Sequence, residues 1–210
     1  MAAQAMSRGK FITFEGIDGA GKSSHLEFAC ELVRARGHEV VRTLEPGGTA
    51  FGQGVREVVL HRPAPALAEA LAMFAARAAH VEGLIEPALA AGRWVVCDRF
   101  SDSTHAYQCG GKGLDATLVE RLEGIVHPGL QPDATLLFDI DPATAAARQR
   151  AQGRSPDQFE GRPSEFHLRV RNAYLERARR HPGRIHVIDA SGTVEQVRAS
   201  VAARLERLLA

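Results

Sequence analysis

The sequence predicts an α/β fold built on a mainly parallel sheet. Two observations carry that prediction. Five short apolar runs, at residues 10–15, 39–44, 93–98, 134–139 and 184–189, alternate with longer amphipathic stretches. Most of these runs are rich in Val, Ile, Leu, Phe or Trp, as strands covered by helices on both faces are. A chain of 210 residues, 45% apolar and 24% charged, can also bury a full core without disulfides or metals.

The first run, Phe11-Ile12-Thr13-Phe14, leads into a glycine-rich turn. Residues 23–36 then place Leu26, Ala29, Cys30 and Val33 on one helical face and stop at Gly37. After the second strand comes a long Ala-rich helical stretch, 66–89, and then the third strand. Residues 114–126 form the next helix and lead to the fourth strand. Pro142 opens a helix over 142–152, because the first turn needs no N–H from it. Residues 153–163, G-R-S-P-D-Q-F-E-G-R-P, fit neither element. A loop of that length in a compact domain reads as a lid, spanning about 150–164 with its flanks. Helix 164–180, the fifth strand and helix 193–209 complete a single domain over 1–210, flanked by helices on both sheet faces. In such sheets ligands bind beyond the carboxyl ends of the strands.

Gly16-Ile17-Asp18-Gly19-Ala20-Gly21-Lys22-Ser23 matches G-x-x-x-x-G-K-[ST], between a good strand and a good helix. Glycines let the backbone N–H groups of this loop turn inward on phosphate oxygens. Lys22 reaches the terminal phosphates, and the Ser23 hydroxyl can hold Mg²⁺. Ser24 follows on the first helical turn, whose positive end faces the anion. Only Lys10, Lys22 and Lys112 are lysines among 26 basic residues, so a lysine in this place stands out. The pattern predicts a P-loop NTPase fold and a nucleoside triphosphate with Mg²⁺. GTPases, motor ATPases and small-molecule kinases share it, so the acceptor stays open.

Four segments narrow the acceptor. Phe11 to Gly19 with the P-loop, Thr43-Leu44-Glu45-Pro46-Gly47-Gly48-Thr49, Asp98-Arg99-Phe100-Ser101-Asp102-Ser103-Thr104-His105-Ala106-Tyr107-Gln108, and Phe159-Glu160 with Phe166-His167-Leu168-Arg169-Val170-Arg171-Asn172-Ala173-Tyr174 resemble thymidylate kinases, in the right order. The resemblance implies phosphorylation of dTMP to dTDP with ATP and Mg²⁺, on a five-stranded parallel sheet, in a homodimer. It implies that Arg99 grips the acceptor phosphate, a task that suits a guanidinium fork. It makes Asp98 the carboxylate that supports Mg²⁺ through water, with Asp139 as a weaker claimant that could instead cap the following helix. Thr104 and Gln108 correspond to the polar pair that reads the pyrimidine edge, and Ser103 to a further substrate-binding position. Tyr107 corresponds to a residue of the sugar pocket, and Asp18 to the acid that accepts from the sugar 3′-OH. Glu45, Arg56 and Arg77 correspond to the acceptor-side charges.

Three positions depart from the family pattern. Leu44 replaces an arginine. Phe74 lies three residues before Arg77 where the family's stacking phenylalanine lies four before, so either Phe74 or Met73 packs on the base. Gln158 replaces the arginine of a lid D-R-F-E. The P-loop carries no basic residue between Gly16 and Gly21, so the transition-state arginine is expected from the lid: Arg150 or Arg154, with Arg162 third and Arg148 also near.

The remaining features restrict the alternatives. A net charge of +1 argues against a protein that neutralises a nucleic-acid backbone. No N-K-x-D segment for guanine is present, and the histidines lack metal-ligand spacing. Cys30, Cys97 and Cys109 are odd in number and widely spaced, which suits a reducing interior. Residues 1–8 lack an apolar signal core, and no apolar run reaches bilayer length, so a cytoplasmic protein without membrane partners is expected. A kinase for another nucleoside monophosphate or a deoxynucleoside, or a fold retained for binding alone, are the competing readings.

Overall fold

The computed structural model describes residues 8–151 and 157–209. Five strands, β1 (Phe11–Glu15), β2 (Val40–Leu44), β3 (Trp94–Asp98), β4 (Ala134–Asp139) and β5 (Ile185–Asp189), lie in the order β2-β3-β1-β4-β5. Every pairing is parallel, with Phe14 opposite Asp98 and Leu136, and Leu44 opposite Asp98. Each strand begins within a residue of its apolar run; β1, β3 and β4 are buried nearly throughout, which leaves an unbroken hydrophobic signal, while the edge strands β2 and β5 are partly exposed, at Arg42 and Val187. On the central strand, Ile12 and Phe14 join one core, which also takes Leu26, Val33, Val170 and Val201 from the helices. Phe11 joins Val95, Cys97, Phe100 and Ile85 on the other face.

The helices are α1 (Lys22–Ala35), α2 (Ala50–His61), α3 (Ala66–His80), α4 (Glu86–Ala90), α5 (Ser101–Thr104), α6 (Ala116–Val126), α7 (Pro142–Ala151), α8 (Ser164–Arg180) and α9 (Val194–Leu209). The α1 face is the predicted one: Leu26, Ala29, Cys30 and Val33 are buried. The stretch read as one helix over 66–89 is α3, a wider π-helical turn at Val81–Ile85, and α4. Two helical segments were not read from the sequence. One is α2, whose Gly52 and Gly54 dilute the pattern; its first turn is capped by Thr49, which accepts from Gly52 N at 3.0 Å. The other is α5 with the π-helical turn His105–Gly111 that continues it. That turn packs against α8 and carries Tyr107 and Gln108, in keeping with the tendency of π turns to mark functional sites.

Asp139 does not cap α7. Asp141 does, accepting from Ala143 N and Thr144 N, while Asp139 takes both prongs of Arg171 at 2.6 and 2.8 Å. Among the described residues no helix is long and apolar enough to cross a membrane.

Candidate active site

The carboxyl ends of β1, β2 and β3 converge on one cleft. The loop after β1 turns at Gly16 (φ 134°) and Gly19 (φ 83°). A Cβ on Gly16 would sit 2.4 Å from Phe138 O, and one on Gly19 2.4 Å from Ala145 O, so both positions need φ > 0 and the close approach. Ile17 and Ala20 are buried beneath the loop and hold its shape. Lys22 Nζ donates to Gly16 O (2.9 Å) and Ile17 O (3.1 Å), which places the ammonium inside the cradle. Burial, and then Arg99, push the Lys22 ammonium below its ordinary value. Ser23 and Ser24 are exposed on the opening turn of α1, where unpaired N–H groups favour an anion.

Facing the cradle, β3 ends at Asp98 and Arg99 takes φ 70°, a left-handed conformation uncommon outside glycine. The buried Cys97 thiol donates to Arg99 O at 3.0 Å and pins that turn; burial holds the thiol neutral by pushing its pKa well up. The guanidinium is anchored on several sides. Nη2 donates to Asp18 Oδ1 (2.5 Å) and Tyr107 OH (3.3 Å), and Nη1 to Ser103 Oγ (3.0 Å) and Tyr174 OH (3.1 Å). Tyr107 OH donates to Asp18 Oδ2 at 2.8 Å. Burial raises the Asp18 carboxyl, but Arg99 and Lys22 outweigh it and hold the group well below the usual carboxylate range.

Behind this cluster Glu15, at the end of β1, is fully buried. It accepts from Phe100 N (2.7 Å), Ser103 Oγ (2.6 Å) and Tyr174 OH (2.8 Å). Burial, with Asp102 nearby, pushes its carboxyl up to about 7 despite those donors. Asp102 in turn is held by Arg177 (2.6 Å) and Arg184 (2.7 Å), which locks α5 to α8 and to the residue preceding β5.

The cleft takes in about 560 Å³ of non-atom space, part of which is open to bulk solvent. Asp18 and Arg99 form one wall; Glu45, Arg56, Arg77, Thr104 and Gln108 form another. Arg77 is 2% exposed. Its Nε donates to Glu45 Oε2 (2.8 Å), its Nη2 to Thr104 Oγ1 (3.3 Å), and its guanidinium carbon lies 4.5 Å over the Phe74 ring and 5.1 Å over Phe100. Its Nη1 is buried with no hydrogen-bond partner among the described residues. Glu45 is braced by His80, whose Nδ1 donates at 2.9 Å while Nε2 meets Thr43 Oγ1 at 2.7 Å. Arg56 Nη1 donates to Pro46 O at 3.1 Å.

Of the two stacking candidates, Met73 lines the cleft and Phe74 does not. A residue of helix is a rotation of about 100°. That rotation turns Phe74 inward onto His127, parallel at 6.1 Å, where it supports Arg77 from behind. Asp157 and Phe159 roof the cleft from the described part of the lid, and Phe159 meets Tyr107 edge-on at 5.6 Å.

The lid arginines among the described residues are not gathered there. Arg150 stands exposed on α7, Arg148 donates to Ala190 O (2.9 Å), and Arg162 lies 5.7 Å from the centre of the Phe166 ring. Arg154 lies outside the described residues. Glu15 and Tyr174 lie in segments that resemble the family but, like Glu69, were given no role from sequence; their partners are distant in the chain, so they leave no periodic signal.

A family model described as thymidylate kinase matches residues 14–201. The chain belongs to the thymidylate kinase family. It is 53% identical over 200 residues to the thymidylate kinase of Thiobacillus denitrificans, covering 95% of this chain and 98% of that one. To the thymidylate kinase of Burkholderia vietnamiensis it is 50% identical over 209 residues, covering 98% and 99%. The crystal structure of thymidylate kinase from Ehrlichia chaffeensis superimposes with a TM-score of 0.77 at 33% identity, covering 97% of this chain and all of that one.

Thymidylate kinases use ATP with Mg²⁺, and the residues here fit that pair. Asp98 Oδ1 is buried and lacks a partner among the described residues, at the strand end beside the cradle. Among those residues no cluster of three or more His, Cys, Asp or Glu could cage a metal. A hard cation that keeps its waters and takes few protein ligands suits such a place.

Proposed function

We infer that this chain transfers the γ-phosphoryl group of ATP to dTMP, forming dTDP, by direct in-line displacement. The observation that carries this reading is the buried Nη1 of Arg77, without a partner among the described residues, in a cleft that Asp18 of the phosphate loop also lines. A buried donor without a partner is costly unless a ligand supplies an acceptor, and a pyrimidine carbonyl does so. Thr104 and Gln108 border the same wall and offer further hydrogen-bonding groups to the base edge.

The nucleophile is already a phosphate oxygen, so no strong base is needed, and positioning and charge neutralisation supply the catalysis. The loop amides from Gly16 to Lys22 hold the triphosphate, and the Lys22 ammonium tracks its outer phosphates. Ser23 and, through water, Asp98 would hold Mg²⁺, which when bound neutralises charge on the phosphate oxygens. Arg99 draws the acceptor phosphate toward the cradle, kept in place by Asp18, Ser103 and Tyr174. Arg150 or Arg154 comes in with the lid to meet the transferring group. Closure of the lid excludes water and so suppresses ATP hydrolysis. A second copy of the chain is the proposed partner: α2, α3 and α6 expose Phe51, Val58, Leu67, Leu71 and Ile125. Twice the chain mass in sedimentation supports that homodimer, and the single mass contradicts it.

The test is a panel of nucleosides and monophosphates with ATP and Mg²⁺, assayed for ADP and for the phosphorylated product, a monophosphate from a nucleoside and a diphosphate from a monophosphate. The reading predicts dTDP from dTMP and no product from thymidine. A preference for thymidine would overturn it.

A further inference from the structure

Beside the cleft sits a buried carboxylate that the transfer chemistry does not use. Glu69, in the first turn of α3, is 1% exposed. Its Oε1 is paired with Lys112, one of only three lysines in the chain, and accepts from Gln158 Nε2 at 3.3 Å. Its Oε2 accepts from Gln108 Nε2 at 3.1 Å. Lys112 is itself fixed, donating to Ala64 O at 3.3 Å and lying 5.4 Å over the Phe159 ring.

We propose that Glu69, held by Lys112, is a specificity-determining positioning residue: it fixes the amide of Gln108 so that the carbonyl oxygen, not the nitrogen, is presented to the base. The proposal rests on the dTMP reading above. Its logic is that of donors and acceptors. An ionised carboxylate only accepts, so the prong of Gln108 that meets Glu69 must be the N–H₂. The other prong, Oε1, is then the one left for the cleft that Gln108 lines. An acceptor there matches the N3–H of thymine or uracil and meets the N3 lone pair of cytosine head-on. Without Glu69 the amide could turn over and serve either ring. The same carboxylate takes Gln158 of the lid, so the arrangement that sets the amide also ties the roof to the base pocket.

The experiment compares the inhibition constant of dCMP with the KM of dTMP in wild type, in Glu69→Gln, and in Glu69→Gln/Lys112→Met. The double variant removes both charges at once and leaves no buried ion alone, so it stays informative if the single variant fails to fold. The expected result is a fall in the dCMP-to-dTMP ratio by about tenfold or more, with KM for dTMP rising while kcat stays within about threefold. A purely structural role would lower turnover and leave the ratio alone. An unchanged ratio with active wild type would overturn this proposal only, whereas wild type inert toward dTMP would remove the parent reading and this proposal with it.

Discussion

Glu15 shows how a single residue can sit under the chemistry without touching it. It accepts from Ser103 and Tyr174, the hydroxyls to which Arg99 donates, yet burial dominates and pushes its carboxyl from 4.5 up to about 7. Between those values the folded chain keeps a proton that the unfolded chain has released, so stability falls as pH rises through that window. Glu15→Gln should remove this slope. Thermal melts from about pH 5 to pH 8 should show the wild type losing more of its Tm than the variant, and parallel curves would refute the shift. Glycine spacing pointed to Lys22, and the resemblance to thymidylate kinases pointed to Arg99 and Asp18. Glu15 and Glu69 stayed silent, since a buried carboxylate declares itself only through partners distant in sequence. Phe74 and Met73 could be separated only by the rotation of α3, which spacing to Arg77 does not set.

Among the elements, β1, β3 and β4 were legible because both of their faces are covered, and the partly exposed edge strands β2 and β5 because Val and Ile are frequent in them. The helix α2 was not, since two glycines in its first half weaken the pattern. The glycines differ in kind. A Cβ on Gly52 would lie 2.4 Å from Gly47 O, whereas one on Gly54 would meet nothing within 4 Å. Gly54→Ala should therefore stabilise by about 0.5–1 kcal/mol, and Gly52→Ala should destabilise. Removing the cap with Thr49→Ala should cost about 1 kcal/mol. Denaturant midpoints for the three variants check this, and equal effects from the two glycine changes would contradict the close approach. The turn carrying Tyr107 and Gln108 escaped helix reading for another reason: its π-helical winding breaks the 3.6-residue period.

At the scale of the molecule, the sheet brings a donor half and an acceptor half to one rim. In the proposed reading the donor half is the loop after β1 with Lys22, and the acceptor half is the ends of β2 and β3 with α3. The described part of the lid, from Asp157 on, roofs the acceptor half through Phe159 on Tyr107. Phe159→Ala should raise ATP hydrolysis relative to transfer, by about threefold to tenfold, as water enters. Product counts of ADP against dTDP check it, and an unchanged ratio would remove the roof's role. The division of labour itself is tested most directly by titrating ATP and dTMP separately into Arg99→Ala and Lys22→Ala. Arg99→Ala should lose dTMP affinity by about 100-fold and keep ATP, while Lys22→Ala should keep dTMP and lose transfer by about 10³-fold or more. Equal loss of both nucleotides in Arg99→Ala, or near-normal turnover in Lys22→Ala, would contradict the account.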